Sequence, residues 1–251
     1  QVIAVTVDGT VQSMDAWTGE VYGDFDSGGP VVSSSTRMGH RMDQDLVIPG
    51  LDGVIYTLSR DGELSVLPSS APDLVLEPKL TRCFSAAAED VDDDCGLLIG
   101  EKTTKLFAID TSSGLGHFLG GGAGSSTTAK TATLSAGADT LLLQRDEYVV
   151  RALSTDSNAP VGIGELWNVT VAHFTALDAS GPLRAGLTRS KAQASALDGS
   201  VGEASSDGAE LFPLMFYDDQ MWIVAVNPAD GDELWRKQTS SLATSLYGIS
   251  H

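Results

Sequence analysis

Residues 46–63, LVIPGLDGVIYTLSRDGE, contain an apolar run, a strand pattern and two tight-turn signals. The turn signals are Asp52-Gly53 and Asp61-Gly62, in which glycine supplies the positive φ that a hairpin turn requires. An apolar run before the first turn and a strand pattern after it indicate two antiparallel strands, and the second turn leads into a third. The stretch therefore predicts a small unit of consecutive antiparallel strands.

The strand predicted between these turns alternates at period two. Val54, Tyr56 and Leu58 lie on one side of it, and Ile55 and Thr57 lie on the other. One side of the strand is therefore wholly apolar. Such a side is either ordinary core or a contact surface, and the pattern alone leaves both interpretations open.

The same plan recurs along the chain in imperfect copies. Similar strand and turn patterns occupy residues 5–25, 96–119, 140–171 and 213–239, which gives five units in all. Most units lie about 45 to 50 residues apart, a spacing typical of propeller-type repeats. One unit cannot bury its apolar face alone, so neighbouring sheets must pack on each other. We predict an all-β fold of quinoprotein- or propeller-like antiparallel repeats, forming an open or incomplete sheet cluster with a β-sandwich portion.

Three stretches between the units lack strand patterns. Residues 67–79 contain three prolines and are interpreted as an extended connection. Residues 120–139 and 178–210 are rich in small and polar side chains and have little to bury, so we expect flexible insertions there. Within the second insertion, residues 191–197 could form a short helix. We treat residues 1–251 as one domain with these two insertions.

The charge balance is strongly acidic. The 251 residues include 34 Asp and Glu against 15 Lys and Arg, for a net charge of −19. Such a surface repels nucleic acid and anionic membranes, so neither is expected as a direct partner. No run of about 18 apolar residues occurs, and any membrane segment is expected outside this sequence. The chain opens inside a strand pattern, and we interpret it as a fragment of a longer protein.

Several short motifs relate the chain to a known family. They are Val31-Val32-Ser33-Ser34-Ser35, residues 47–53 (VIPGLDG), Leu141-Leu142-Leu143-Gln144-Arg145, Val150-Arg151-Ala152 and residues 167–174 (WNVTVAHF). In this order they resemble the lumenal stress-sensing domain of PERK, the endoplasmic-reticulum eIF2α kinase. More distantly, the repeat resembles the related inositol-requiring stress sensor and quinoprotein-like propellers.

The resemblance implies a lumenal sensor module of a single-pass membrane kinase, located in the lumen of the endoplasmic reticulum. Such a module would detect unfolded protein through release of an Hsp70-type chaperone, through client binding, or both. It would signal by forming homodimers or higher oligomers. Kinase activity would belong to the full-length protein, so this fragment is expected to be neither an enzyme nor a cofactor-binding protein. The alternative is a quinoprotein-like β-propeller that acts as a scaffold or dehydrogenase.

The resemblance also implies particular site residues. Val54, Tyr56 and Leu58 become candidates for an oligomer interface, since the corresponding region of the family resembles part of a dimer surface and exposed strand edges are prone to pair. Asn168 begins the sequon Asn-Val-Thr and is predicted to carry an N-glycan on an exposed strand edge.

The two cysteines leave their state open. Cys83 and Cys95 could pair across a short loop in an oxidising compartment, but two cysteines are also common in reduced proteins.

Two motifs suggest other chemistry and are not adopted. Residues 26–30 (DSGGP) match the nucleophile motif of chymotrypsin-like proteases, but no histidine precedes Ser27, as that fold requires of its base, so we predict a turn between strands. The carboxylates Asp90, Asp92, Asp94 and Glu101 have the spacing of a calcium loop. Cys95 replaces the glycine that such a loop needs, so a solvated acidic loop is preferred and weak calcium binding is the alternative.

Overall fold

A computed structural model of the chain describes residues 1–36, 46–59, 61–76, 80–81, 96–111, 113–123, 140–154, 165–177, 184–185 and 212–248. Within these ranges, strands form four antiparallel sheets, none of which closes into a barrel. The predicted all-β fold with an open cluster of sheets is therefore confirmed.

The strands in chain order are β1 (Val2–Thr6), β2 (Thr10–Met14), β3 (Val21–Asp26), β4 (Val32–Thr36), β5 (Leu46–Pro49), β6 (Ile55–Leu58), β7 (Leu64–Val66), β8 (Leu80–Thr81), β9 (Gly96–Asp110), β10 (Gly116–Ala123), β11 (Thr140–Ser154), β12 (Glu165–Leu177), β13 (Arg184–Ala185), β14 (Leu214–Tyr217), β15 (Trp222–Val226), β16 (Glu233–Gln238) and β17 (Ala243–Gly248). One helix, α1 (Ala71–Leu76), lies between β7 and β8.

A five-stranded sheet joins the two ends of the described chain. Its order is β13-β17-β1-β2-β3, so the last strand pairs directly with the first. All five residues of β1 are buried. Alternate side chains of β1 enter two different cores: Val2 and Ala4 face the three-stranded sheet β14-β15-β16, while Ile3 and Val5 face a larger sheet. The five-stranded sheet is thus the middle of three layers.

The larger sheet is six-stranded and is built on two strands of fifteen residues, β9 and β11. These pair over their whole lengths, from Thr140 opposite Asp110 to Ser154 opposite Gly96. In β11, Leu141 and Leu143 are buried towards the five-stranded sheet, whereas Val150 and Ala152 are buried on the opposite face. Since side chains alternate along a strand, the sheet covers one neighbour with one face and another neighbour with the other face.

The second neighbour of the six-stranded sheet is the small sheet β5-β6-β7 together with helix α1. Val47 and Ile55 from the small sheet, and Ala71 and Leu74 from the helix, meet the buried Trp167 of β12 in one core. Helix α1 crosses β9 so closely that a Cβ on Gly100 would lie 2.6 Å from the Val75 backbone. The small sheet is therefore held by one of its faces only.

The structure corrects the prediction of five repeated units. Three-stranded units form at β1-β2-β3, β5-β6-β7 and β14-β15-β16, but residues 96–119 and 140–171 instead supply the long strands of the six-stranded sheet. The physical reason is that the segments where the first hairpin of each unit would reverse pair with each other instead. Residues 100–105 (GEKTTK) and 144–149 (QRDEYV) continue as paired strand.

The prediction of an extended connection over residues 67–79 is also wrong, since Ala71–Leu76 is helical. The Ser70 hydroxyl accepts from the Asp73 backbone N–H at 3.4 Å, and the Asp73 carboxylate accepts from the Ser70 backbone N–H at 3.3 Å and from the Ser70 hydroxyl at 2.6 Å. This reciprocal arrangement is a helix N-terminal capping box. Pro72 lies in the first turn, where a missing N–H costs nothing.

Each of the two predicted insertions includes a short piece of strand. Residues 120–123 belong to β10, and Arg184–Ala185 pairs with β17. The remainder of both insertions lies outside the described residues, as does the helix suggested for residues 191–197. In the part of the chain that the structure describes, no helix is long and apolar enough to cross a membrane.

Candidate functional site: an exposed apolar sheet face

The small sheet β5-β6-β7 carries apolar side chains on the face turned away from the core. Cross-strand partners share a face, and the register aligns two rows of three across the sheet. The six residues of this outer face are Leu46, Leu58 and Leu64 in one row, and Ile48, Tyr56 and Val66 in the other. Here "outer face" denotes these six side chains.

The outer face is in contact with solvent. Leu46 is 49% exposed, Leu64 58% and Val66 57%, while Tyr56 and Leu58 in the central strand are half-buried. Large apolar side chains on a monomer surface are usually scattered singly, and a contiguous group of them indicates an interaction site. The outer face is such a group.

Two of the three predicted interface residues, Tyr56 and Leu58, lie on the outer face. Ile55 of β6 is fully buried, whereas Tyr56 and Leu58 point the other way and take no part in the core beneath the sheet. Val54 precedes β6 and is half-buried. The sequence analysis did not identify Leu46, Ile48, Leu64 and Val66. A signal for two of them was present, because the alternating apolar pattern that includes Leu58 resumes after the Asp61-Gly62 turn at Leu64 and Val66.

Strand β6 is the central strand of its sheet. It pairs with β5 on one side and with β7 on the other, so its backbone groups are already used. Strand β6 therefore has no open edge to which another strand could add. Any contact made by Tyr56 and Leu58 must be through side chains.

Acidic residues border the outer face. Asp52, Asp61 and Glu63 lie in the turns that join its strands, and all three are exposed. Within the described part of the small sheet, residues 46–59 and 61–66, no lysine or described arginine balances them. A partner that covers the face must therefore approach against negative charge or bring positive charge with it.

Asn168 does not lie on a strand edge, contrary to expectation. It is in β12, opposite Arg151 of β11 and Ser35 of β4. The residue is half-buried, and its Oδ1 is buried without a hydrogen-bond partner in the described structure. The register is dictated by Trp167, Val169 and Val171, which bury the other face of the strand.

Ser27 is a structural residue. It is 1% exposed, its hydroxyl donates to the Gly9 carbonyl oxygen at 2.6 Å, and it accepts from Arg145 Nη1 at 2.8 Å. The residues around it form the connection between β3 and β4 that the sequence predicts.

Of the suggested calcium ligands, only Glu101 is described, and it is exposed on β9. Among the described residues, no group of three or more His, Cys, Asp or Glu side chains could hold a metal ion. Cys83, Cys95, Asp90, Asp92 and Asp94 lie outside the described ranges.

Known proteins resemble this chain in both sequence and fold. Over 176 residues, or 69% of the chain, it is 28% identical to eukaryotic translation initiation factor 2-alpha kinase 3 of Rattus norvegicus. The Bos taurus protein of the same name matches equally, and the matched stretch is 14% of the length of each kinase. The compact lumenal domain of yeast Ire1 superposes with a TM-score of 0.56 over 98% of this chain and 68% of that domain, at 15% identity. No family model matches the chain.

The resemblance to the PERK lumenal domain is confirmed. The chain is similar to the sensor region of PERK and not to its kinase domain. The likeness to Ire1, at 15% identity, establishes the shared fold. In both comparisons the similarity lies in a lumenal domain, so no catalytic part of either kinase is represented in the match.

Proposed function

We propose that this chain is the lumenal sensor module of a PERK-like transmembrane eIF2α kinase and that it works in the lumen of the endoplasmic reticulum. The observation that carries the proposal is the combination of a PERK match over 69% of the chain with the Ire1 lumenal fold over 98% of it. Kinase activity would belong to the whole protein, since the matched stretch is 14% of the length of the Rattus norvegicus kinase.

The module signals by self-association in this proposal. Two copies that meet in the lumen would bring two kinase domains together across the membrane. An Hsp70-type chaperone that binds the monomer better than the oligomer would hold the module inactive, and unfolded clients would act in the opposite direction. A ligand shifts such an equilibrium only by its differential affinity for the two states. Chaperone and client therefore need to distinguish monomer from oligomer.

The outer face supports this proposal as a contact between copies. It offers six apolar side chains in two rows, and it is the surface that contains the predicted interface residues Tyr56 and Leu58. Each copy also carries a net charge of −19. Burial of apolar area would have to overcome this repulsion, and added salt should strengthen the association by screening it.

Light scattering against protein concentration, with and without an Hsp70-type chaperone, tests the proposal. We expect the weight-average mass to rise from monomer towards dimer or higher as the concentration increases. An excess of chaperone should return the mass of the free module towards the monomer. A mass that stays monomeric at every concentration, in low and high salt, would contradict signalling by self-association.

A further inference from the structure

Arg145 is the largest fully buried side chain in the described part of the protein, with a relative exposure of 1%. It lies in β11, after Leu141 and Leu143 on the face turned towards the five-stranded sheet. Beyond it the strand changes the face that it buries, since Val150 and Ala152 enter the other core. A charged group thus occupies the end of the apolar contact between the two largest sheets.

The Arg145 guanidinium binds three groups of the connection between β3 and β4. Nη1 donates to Ser27 Oγ at 2.8 Å and to the Gly29 carbonyl oxygen at 2.6 Å, and Nη2 donates to the Pro30 carbonyl oxygen at 3.1 Å. Ser27 extends this hydrogen-bond network, because its hydroxyl donates to the carbonyl oxygen of Gly9 in the turn between β1 and β2. One side chain of the six-stranded sheet therefore holds the connection that leads from β3 of the five-stranded sheet to β4 of the six-stranded sheet, and through Ser27 it also holds the turn between β1 and β2.

The site compensates the buried charge. Glu147 Oε2 lies 3.3 Å from Nη2 and also 3.3 Å from Lys105 Nζ, and the Phe174 ring centroid is 5.6 Å from the guanidinium carbon. Burial lowers the pKa of Arg145, and the carboxylates of Glu147 and Asp26 oppose that effect. The guanidinium stays protonated under all ordinary conditions, so its hydrogen bonds to the neutral oxygens of Ser27, Gly29 and Pro30 do not depend on pH.

The turn between β1 and β2 and the connection between β3 and β4 are packed closely together beside Arg145. Gly9 has φ +88°, and a Cβ there would lie 2.0 Å from the Gly29 oxygen and 3.1 Å from Arg145 Nη1. The two loops therefore meet backbone to backbone beside the guanidinium. Hydrophobic contact between the sheets is not directional, whereas the planar guanidinium donates in fixed directions.

We propose that Arg145 is a positioning residue that fixes how the five-stranded sheet sits on the six-stranded sheet. A well-packed apolar group often stabilises a core as well as a buried ion does, so the specific gain from the ion is a unique arrangement. On this basis the two sheets remain one cooperative unit because Arg145 joins them. Without its hydrogen bonds, the five-stranded sheet separates from the rest more often than the rest unfolds.

Hydrogen exchange on the whole chain tests this inference through two regions, β1–β2 and residues 167–171 of β12. The variant Arg145→Met retains an unbranched apolar stem without the hydrogen bonds, and Arg145→Lys retains the charge without the fork. Val150→Ala is the control, because Val150 is also fully buried on β11 but enters the core on the opposite face of the six-stranded sheet. In Arg145→Met, we expect the slowest amides of β1–β2 to exchange about tenfold faster than those of residues 167–171. Val150→Ala should not accelerate β1–β2 more than residues 167–171, and Arg145→Lys should lie between the parent and Arg145→Met.

Equal acceleration of both regions in Arg145→Met would overturn the inference, since Arg145 would then act as an ordinary core residue. If Arg145→Met does not fold by circular dichroism, Ser27→Ala and Arg145→Lys decide the matter. Ser27→Ala removes one acceptor of the guanidinium and the link to Gly9. It should show the same selective acceleration of β1–β2 to a smaller extent, and a symmetric effect in both variants would contradict the inference.

Discussion

The indole Nε1–H of Trp235 donates to the carbonyl oxygen of Ala16 at 2.9 Å, across 219 residues of sequence. The ring also lies against Gly19, where a Cβ would come within 2.7 Å of it. Trp235 belongs to β16, and Ala16 and Gly19 lie in the turn between β2 and β3. This contact fastens the last three-stranded sheet to the first unit, beside the pairing of β17 with β1.

Substitution of Gly19 tests that contact. Gly19→Ala should destabilise the fold for two reasons, the positive φ of +71° and the collision with the Trp235 ring. Gly231→Ala is the matched control, since Gly231 has φ +79° but nothing within 4 Å of a Cβ. The backbone penalty of about 1 kcal/mol applies to both variants, and overpacking adds about 1 kcal/mol or more to Gly19→Ala alone. Equal urea unfolding midpoints for Gly19→Ala and Gly231→Ala would contradict this prediction, since they would show that the Trp235 ring moves aside without a cost in stability.

The carboxylate of Asp15 predicts a loss of stability in acid. Partial burial would raise its pKa, but hydrogen bonds from the Tyr22 hydroxyl and from the backbone of Thr18 and Trp17 outweigh this and lower the pKa to about 2. The folded pKa is below the ordinary aspartate value of 3.8, so the unfolded chain takes up the proton first on acidification. The stabilisation is complete above about pH 4 and is lost as the pH falls towards 2.

Urea unfolding between pH 5 and about pH 2 measures this effect. In Asp15→Asn the decline of stability over that window should be smaller than in the parent. Asp24→Asn is a suitable control, because Asp24 is an exposed carboxylate on the adjacent strand β3. If Asp15→Asn and Asp24→Asn change the decline equally, the hydrogen bonds of Asp15 do not influence acid stability.

The cap of helix α1 gives a prediction of local stability. Ser70→Ala removes both hydroxyl contacts to Asp73 and should cost about 1 kcal/mol of unfolding free energy. Ser65→Ala, at an exposed position of β7, should be nearly neutral. Thermal unfolding of the two variants provides the comparison. A Ser70→Ala variant as stable as the parent would mean that packing of Leu74 alone holds the helix.

Local signals in the sequence were sufficient for the three hairpin units. The turns of these units contain five glycines that all have positive φ: Gly9, Gly53, Gly62 and Gly231, each of which follows an aspartate, and Gly19, which follows a threonine. The capping box of Ser70 and Asp73 was also visible in the sequence, but the three prolines nearby favoured an extended connection. Reading Ser70-x-x-Asp73 with Pro72 in the first turn would have located the helix.

Other features depend on contacts between distant parts of the chain. Strand β6 has Ile55 on one side and Tyr56 and Leu58 on the other. The side that packs against helix α1 is buried, and alternation alone does not decide which side that is. The role of Arg145 depends on Ser27 and Gly9, which are more than 100 residues away. The expected strand edge at Asn168 failed for the same reason, since β4 is far from β12 in sequence and covers it.

N-glycosylation at Asn168 remains a prediction, and the structure sharpens its timing. Asn168 is half-buried between β11 and β4, so the glycan should be attached before β12 is covered. A chain made in a secretory pathway should show one endoglycosidase-sensitive mobility shift that Thr170→Ala abolishes. An identical mobility of parent and Thr170→Ala before and after digestion would count against this site.

The outer face leads to a variant that should separate association from folding. Leu58→Asp places a charge in the middle of the face, next to Leu46 and Leu64, and should weaken self-association at least about tenfold. Ser65→Asp is the control, because it adds the same charge to β7 on the other side of the sheet. Leu76→Asp probes a separate surface, the end of α1, where Leu76 is 79% exposed.

Sedimentation equilibrium of these variants against the parent is the most direct test of the proposed sensor mechanism. The account predicts that Leu58→Asp is folded by circular dichroism and largely monomeric, while Ser65→Asp and Leu76→Asp associate as the parent does and more tightly in added salt. An unfolded Leu58→Asp would place Leu58 in the core. A folded Leu58→Asp that associates as tightly as the parent would contradict the account, and loss of association in Leu76→Asp instead would locate the interface at the helix.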